Sequence, residues 1–131
     1  MPGIFSKIVA GEIPSYKIAE NEHFYAFLDI NPLAKGHTLV IPKKEVDYLF
    51  DLDDDLYTGL WAFAKRVSRA IEQVCPCERI GVAVVGLEVP HAHIHLVPIN
   101  SVGDIDFSKK RVSLSKEEFA AVTAQIQSAF S

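Results

Sequence analysis

The chain is sparing with cysteine: two residues in 131, and both fall within "VCPCER" as Cys75 and Cys77. A bridge across the single intervening Pro76 would be badly strained. A metal site built on such a pair normally wants C-x-x-C spacing and two further ligands. The pair therefore reads as two reduced thiols at a helix end. Long apolar runs are also missing. The longest, Ile80 to Leu87, is far too short to cross a bilayer. The opening "MPGIFSKIVAGEIPSYK" has neither an extended apolar core nor a small-residue cleavage site. A cytoplasmic protein with no membrane partner is expected. Basic charge is not in excess: 13 Lys and Arg face 17 Asp and Glu, for a net charge of −4. A polymeric nucleic-acid partner would need a basic stripe to neutralise its phosphates, so none is expected. A small anionic ligand in a local pocket stays open, because net charge says little about one site. Repeats, low-complexity stretches and Gly/Ser linkers are absent, and the length fits a single domain over residues 1–131.

What is present divides into short strands and two strong helices. Residues 4–10, "IFSKIVA", make a turn or two of helix before the breaker "GEIP". "SYKIA" and "HFYAFLDI" read as strands, and "NPLAKG" as a loop. "HTLVIP" is a third strand that ends on proline. From Asp54 to Val74, the residues Leu56, Leu60, Phe63, Ala64, Val67, Ile71 and Val74 recur at steps of three and four. They define the apolar stripe of a long helix. Asp51, Asp53, Asp54 and Asp55 lie at its start, where the helix dipole favours negative charge. "ERIGVAVVG" reads as a buried strand, with "VPHAHIHLVP" as its neighbour. Ser115 to Glu118 form a capping box, Leu114 is placed to staple onto Phe119, and Phe119, Val122, Ile126 and Phe130 carry a closing helix. The order predicts an antiparallel α+β sandwich with helices packed on one sheet face.

Three of five histidines occupy alternate positions in "VPHAHIHLVP". In a strand, residues two apart share a face, so His91, His93 and His95 form a row. Three structural histidines in register would each need partners for two ring nitrogens, a costly device. A three-histidine zinc site meets a geometric obstacle. The outer two positions of one straight strand lie about 13 Å apart, so His37 or a carboxylate would have to join. Nucleophilic chemistry suits the row better. Neutral imidazole attacks phosphorus near pH 7, and neighbouring rings can orient it or donate to phosphoryl oxygens.

"HAHIHLV" matches the H-φ-H-φ-H-φ-φ pattern, with φ apolar, of the histidine triad (HIT) family. The chain resembles that family's Hint-like branch of nucleotide-binding phosphoramidases over roughly residues 3–98. "IFSKIVAGEIP" resembles the family's opening segment, and "YAFLDINPLAKGHTLVIPKK" its nucleoside-binding strand and loop. The resemblance implies a five-stranded antiparallel sheet with a long central helix and a C-terminal helix, and a homodimer whose two sheets run together. It implies a purine nucleotide substrate attacked at its α-phosphorus by His93 through a nucleotidyl-histidine intermediate. His91 and His95 would orient that ring and contact phosphate oxygens, with His37 as the fourth histidine beside them. Asp29 would take the ribose hydroxyls, and Phe5, Ile8, Phe27 and Ile30 would wall the base.

The sequence departs from the family pattern before the triad, in the opening segment, and in the tail "NSVGDIDFSKKRVSLSKEEF", which is unlike the usual Hint C-terminus. Leu87 and Glu88 stand where a Gln and a hydroxyl are usual, which leaves Glu88 to act on the leaving group or to face solvent. Ser6 stands where some relatives carry a zinc-binding cysteine, so neither a metal nor another cofactor is expected. The expected activity is hydrolysis of purine nucleoside phosphoramidates or related AMP conjugates. A dinucleoside polyphosphate hydrolase and a nucleotide-binding regulatory module with weak catalysis are its rivals.

Overall fold

Helix α2 (Asp54–Val74) occupies the segment with the clearest periodicity. It begins where Asp53 accepts a hydrogen bond from the Leu56 amide at 2.9 Å, satisfying one of the free N–H groups of the first turn. Leu60, Phe63, Ala64, Val67 and Ile71 of the expected stripe lie in the core, joined by Ala70, while Leu56 and Val74 at its ends are half-buried against it. Cys75 caps the other end and is buried, and both cysteines are free thiols. The closing helix α3 (Lys116–Ala129) opens on the expected box: Ser115 accepts from the Glu118 amide while the Glu118 carboxylate accepts from the Ser115 amide. The computed structural model describes residues 2–131.

Five strands form one antiparallel sheet in the order β1-β2-β3-β5-β4. They are β1 (Lys17–Glu20), β2 (Phe24–Leu28), β3 (Thr38–Pro42), β4 (Arg79–Ala83) and β5 (Ile94–Ile99). Strand alternation sorts the side chains into two cores. Ile18, Phe24, Ala26, Leu28, Val40, Ile94 and Leu96 face α2 and α3. Tyr25, Phe27, Leu39 and Ile41 face the other way, against Phe5 and Ile8 of a short helix α1 (Ile4–Val9). The expectation of helices on one face therefore holds for α2 and α3, while α1 covers part of the opposite face. Its start is tied to the loop after β3, because one Glu45 oxygen accepts from the Gly3 amide at 2.7 Å and from the Ser6 hydroxyl at 2.6 Å.

Two expectations need correction. The "ERIGVAVVG" segment is a sheet-edge strand rather than a buried one. β4 pairs only with β5, and Val82, Val84 and Val85 are exposed. An apolar, β-branched run has the same composition whether its far side meets a helix or nothing within the chain. The histidine segment also enters its strand late: β5 starts at Ile94, so His91 and His93 lie on the extended approach to it.

Candidate active site

The register Phe27↔Leu39 and Leu39↔His95 puts the His95 ring on the face opposite α2. Two main-chain bonds hold the approach to β5: His91 N–H to Val89 O at 2.8 Å and Ala92 N–H to Val46 O at 2.7 Å. They bring His93 to 4.9 Å from His95, ring centre to ring centre. Phe5 of α1 lies edge-on to His93 at 5.2 Å and to Phe27 at 5.5 Å. These rings wall a cavity of about 640 Å³, which Ile8, Leu39, Asp29, Ile30 and Glu88 also line. Ile30 does so as an exposed rim residue rather than a buried wall.

Hydrogen bonds determine which ring nitrogen carries each proton. The Leu33 amide donates to His37 Nδ1 at 2.9 Å, so that nitrogen is an acceptor and the His37 proton sits on Nε2. His37 Nε2 lies 3.0 Å from His95 Nδ1 and donates to it, which leaves the His95 proton on Nε2. The carbonyl of His91 lies 2.7 Å from His93 Nδ1 and can only accept, so His93 carries its proton there and its Nε2 lone pair is bare. The His91 ring donates through Nε2 to the Pro42 carbonyl at 2.8 Å. That ring is buried and does not line the cavity. His91 thus bonds its neighbour through its main-chain carbonyl, while its ring turns from the cavity to the Pro42 carbonyl.

Burial dominates the electrostatics. It drives the pKa of His37 down to about 3 and that of His95 down to about 4, with each ring's positively charged surroundings acting in the same direction. Burial also lowers His91. Asp29 is raised above the ordinary carboxylate value, first by burial, against the pull of the Asn31 amide bonded to it at 2.8 Å and of the charge on Arg111. The 3.6 Å approach of His37 Nε2 to Asp29 is a polar contact rather than an ion pair, since His37 is neutral at pH 7. The Asp29 amide bonds the His37 carbonyl at 2.9 Å, closing the loop that carries both groups.

Asp29, His37 and His95 form the one group among the described residues whose donor atoms could converge on a metal, within 4.8 Å of one another. The two imidazole nitrogens are 3.0 Å apart. Tetrahedral zinc with ligands at about 2.0–2.1 Å would hold them roughly 3.3 Å apart. In this structure the two nitrogens are joined by a hydrogen bond.

Among the cavity residues that the sequence did not single out, Phe107 and Arg111 lie beside the histidines. The Phe107 ring packs against His95 at 4.7 Å, and the Arg111 guanidinium lies over Phe107 at 5.5 Å. In sequence, "DFSKKRVS" looks like a solvated basic run, and nothing periodic marks either residue.

Comparison with known proteins agrees with this architecture. An adenosine 5′-monophosphoramidase of Saccharomyces cerevisiae is 41% identical over 97 residues, spanning 72% of this chain and 61% of that protein. An adenosine 5′-monophosphoramidase of Schizosaccharomyces pombe is 35% identical over 131 residues, covering 98% of each chain. The crystal structure of a Hit-like protein involved in cell-cycle regulation from Bartonella henselae superposes with a TM-score of 0.83 at 28% identity, over 98% of this chain and 96% of that one. The family model for the HIT domain matches residues 10–102, and the chain belongs to the HIT family.

Proposed function

We propose that the protein is a nucleotide hydrolase that cleaves purine nucleoside phosphoramidates or related AMP conjugates at the α-phosphorus, with His93 as the nucleophile. The observation that carries the reading is the 2.7 Å contact of His93 Nδ1 with the His91 carbonyl, which leaves Nε2 bare beside a carboxylate-bearing cavity. The two yeast relatives, named as AMP phosphoramidases, support the choice of substrate. The apolar wall of Phe5, Ile8, Phe27 and Leu39 suits a purine, and the Asp29 carboxylate suits a pair of ribose hydroxyls.

The chemistry runs in two displacements. His93 Nε2 attacks phosphorus, the P–N bond breaks, and its electron pair leaves with the amine, which takes up one proton from solvent. His95 Nε2–H donates to the reacting group where negative charge develops. Once phosphorylated, the His93 ring is cationic, and its Nδ1–H bond to the His91 carbonyl strengthens accordingly. Water then attacks phosphorus, displaces His93 and returns the proton. One water enters for each amine and AMP released. Glu88 is exposed on the cavity rim, and in this reading it acts on the leaving group.

The reading includes a homodimer, supported by the unpaired edge of β4 with its exposed Val82, and by exposed Val84 and Val85 just beyond it. It also includes a cytoplasmic setting, in keeping with two free thiols. No helix among the described residues is long and apolar enough to cross a membrane. His93→Ala abolishes turnover of an AMP-linked amide while AMP binding persists, and mass spectrometry of the wild type traps an AMP–protein adduct. Retained turnover in the variant refutes the assignment. Relative rates on an AMP amide and a diadenosine polyphosphate separate this activity from dinucleoside polyphosphate hydrolysis.

A further inference from the structure

The charge lining the cavity does not balance for an anionic ligand. Two carboxylates, Asp29 and Glu88, line it. His37 and His95 are neutral at pH 7. A nucleotide adds more negative charge to this wall. Among the described lining residues, one is a lysine or arginine, and it is Arg111.

Arg111 reaches the cavity from the irregular segment between residues 105 and 113, which crosses over the loop bearing Asp29. The Val112 amide donates to the Pro32 carbonyl at 2.8 Å, and Arg111 Nη1 donates to the Asn31 carbonyl at 2.8 Å. A longer contact, 3.4 Å, joins Nη2 to the Phe107 carbonyl. The Phe107 ring touches both groups, with the guanidinium 5.5 Å over its centre and the His95 ring 4.7 Å away. Among the described residues, no carboxylate lies within ion-pairing distance of Arg111: the ion pairs found involve Lys17, Lys43, Arg69 and Lys109 as the basic partners, besides two histidine contacts.

A staple joining the two segments needs only donors for two carbonyls, which a neutral amide could provide. A half-buried guanidinium has five N–H groups, and here three point to no protein acceptor. The arrangement is therefore a fixed cation without a direct ion pair, within electrostatic reach of the Asp29 carboxylate that this reading assigns to the ribose. We infer that Arg111 is a substrate-binding residue that pairs with the anionic phosphoryl group of the bound nucleotide. The inference rests on the nucleotide reading above and deepens it: the site discriminates nucleotides from nucleosides through a side chain outside the histidine segment.

Calorimetric titration of AMP and adenosine into wild type, Arg111→Gln and Arg111→Lys tests this. The glutamine keeps a donor for Asn31 and removes the charge, while the lysine keeps the charge. Wild type binds AMP more tightly than adenosine. Arg111→Gln loses about tenfold in AMP affinity, as expected for one charge-assisted hydrogen bond, with adenosine affinity unchanged. Arg111→Lys retains most of the preference. If Arg111→Gln weakens both ligands by the same factor, or neither, Arg111 is a staple and the inference fails. If wild type binds adenosine as well as AMP, the inference fails while nucleoside binding stands. If wild type binds neither, the nucleotide reading falls and this inference falls with it.

Discussion

Acidification should destabilise this protein well above the pH at which carboxylates titrate, and the cause is the pair His37 and His95. Both rings are buried, and their folded pKa values are about 3 and about 4. In the unfolded chain each returns to about 6.5. A depressed histidine contributes its full stability above the unfolded pKa and loses it as pH falls towards the folded one. Between pH 6.5 and about 4, therefore, the unfolded state binds protons that the folded state refuses. At pH 5.5 unfolding takes up about 1.8 protons at these two sites, for a slope of about 2.4 kcal/mol per pH unit. From pH 7.5 to pH 5 each ring accounts for about 2 kcal/mol, a large share of a typical domain's stability. His91, also lowered by burial, acts in the same direction. Asp29, raised, opposes it nearer the carboxylate range. Urea unfolding at pH 7.5, 6.5, 5.5 and 5.0 reads the effect as a falling midpoint at constant m-value. His95→Gln should remove about half of the slope. A stability that stays level from pH 7.5 to 5 refutes the argument, since it would mean that these rings accept protons without unfolding.

Other outcomes follow from single contacts. Asp29→Asn should cost about tenfold in the preference for AMP over its 2′,3′-dideoxy analogue, measured as the ratio of Kd values, because a charged acceptor for the ribose hydroxyls is lost. Gly36 has a φ of +97°, and a Cβ there would lie 2.6 Å from Cys75 Sγ. Gly36→Ala should therefore cost about 1–3 kcal/mol in denaturant unfolding from strain alone, and an unchanged midpoint would show that this turn is slack. On the β4 edge, Val82→Asp should convert a dimer to a monomer in sedimentation velocity. A variant that sediments like wild type would locate any dimer elsewhere.

Much of the fold was legible because its signals are local. The stripe from Leu56 to Val74 and the Ser115 box each declare themselves within one helix, and both are found as expected. Alternation also put His93 and His95 on one side of the chain. Properties that depend on distant partners were not legible. The His95 proton is assigned by His37, and the His37 proton by the Leu33 amide; no spacing in "HAHIHLV" encodes either link. The His91 ring turns to Pro42 because the strand has not yet begun at residue 91, so strict alternation misled there. Phe107 and Arg111 reach the cavity on a segment without periodicity, held by carbonyls of residues 31 and 32, and composition is silent about such docking.

The protonation pattern of the site starts from main-chain groups, and that shapes how the protein can vary. The Leu33 N–H and the His91 C=O are supplied by whatever residue occupies those positions. Substitution at 33 leaves the donor in place unless the new residue is proline, which has none. At 91 even loss of the imidazole leaves the carbonyl that orients His93. Mutation can therefore drift through these two flanks while the bare nitrogen of His93 and the proton on His95 stay where they are. The chemistry is inherited from the backbone trace, leaving the surrounding side chains free to change what is bound.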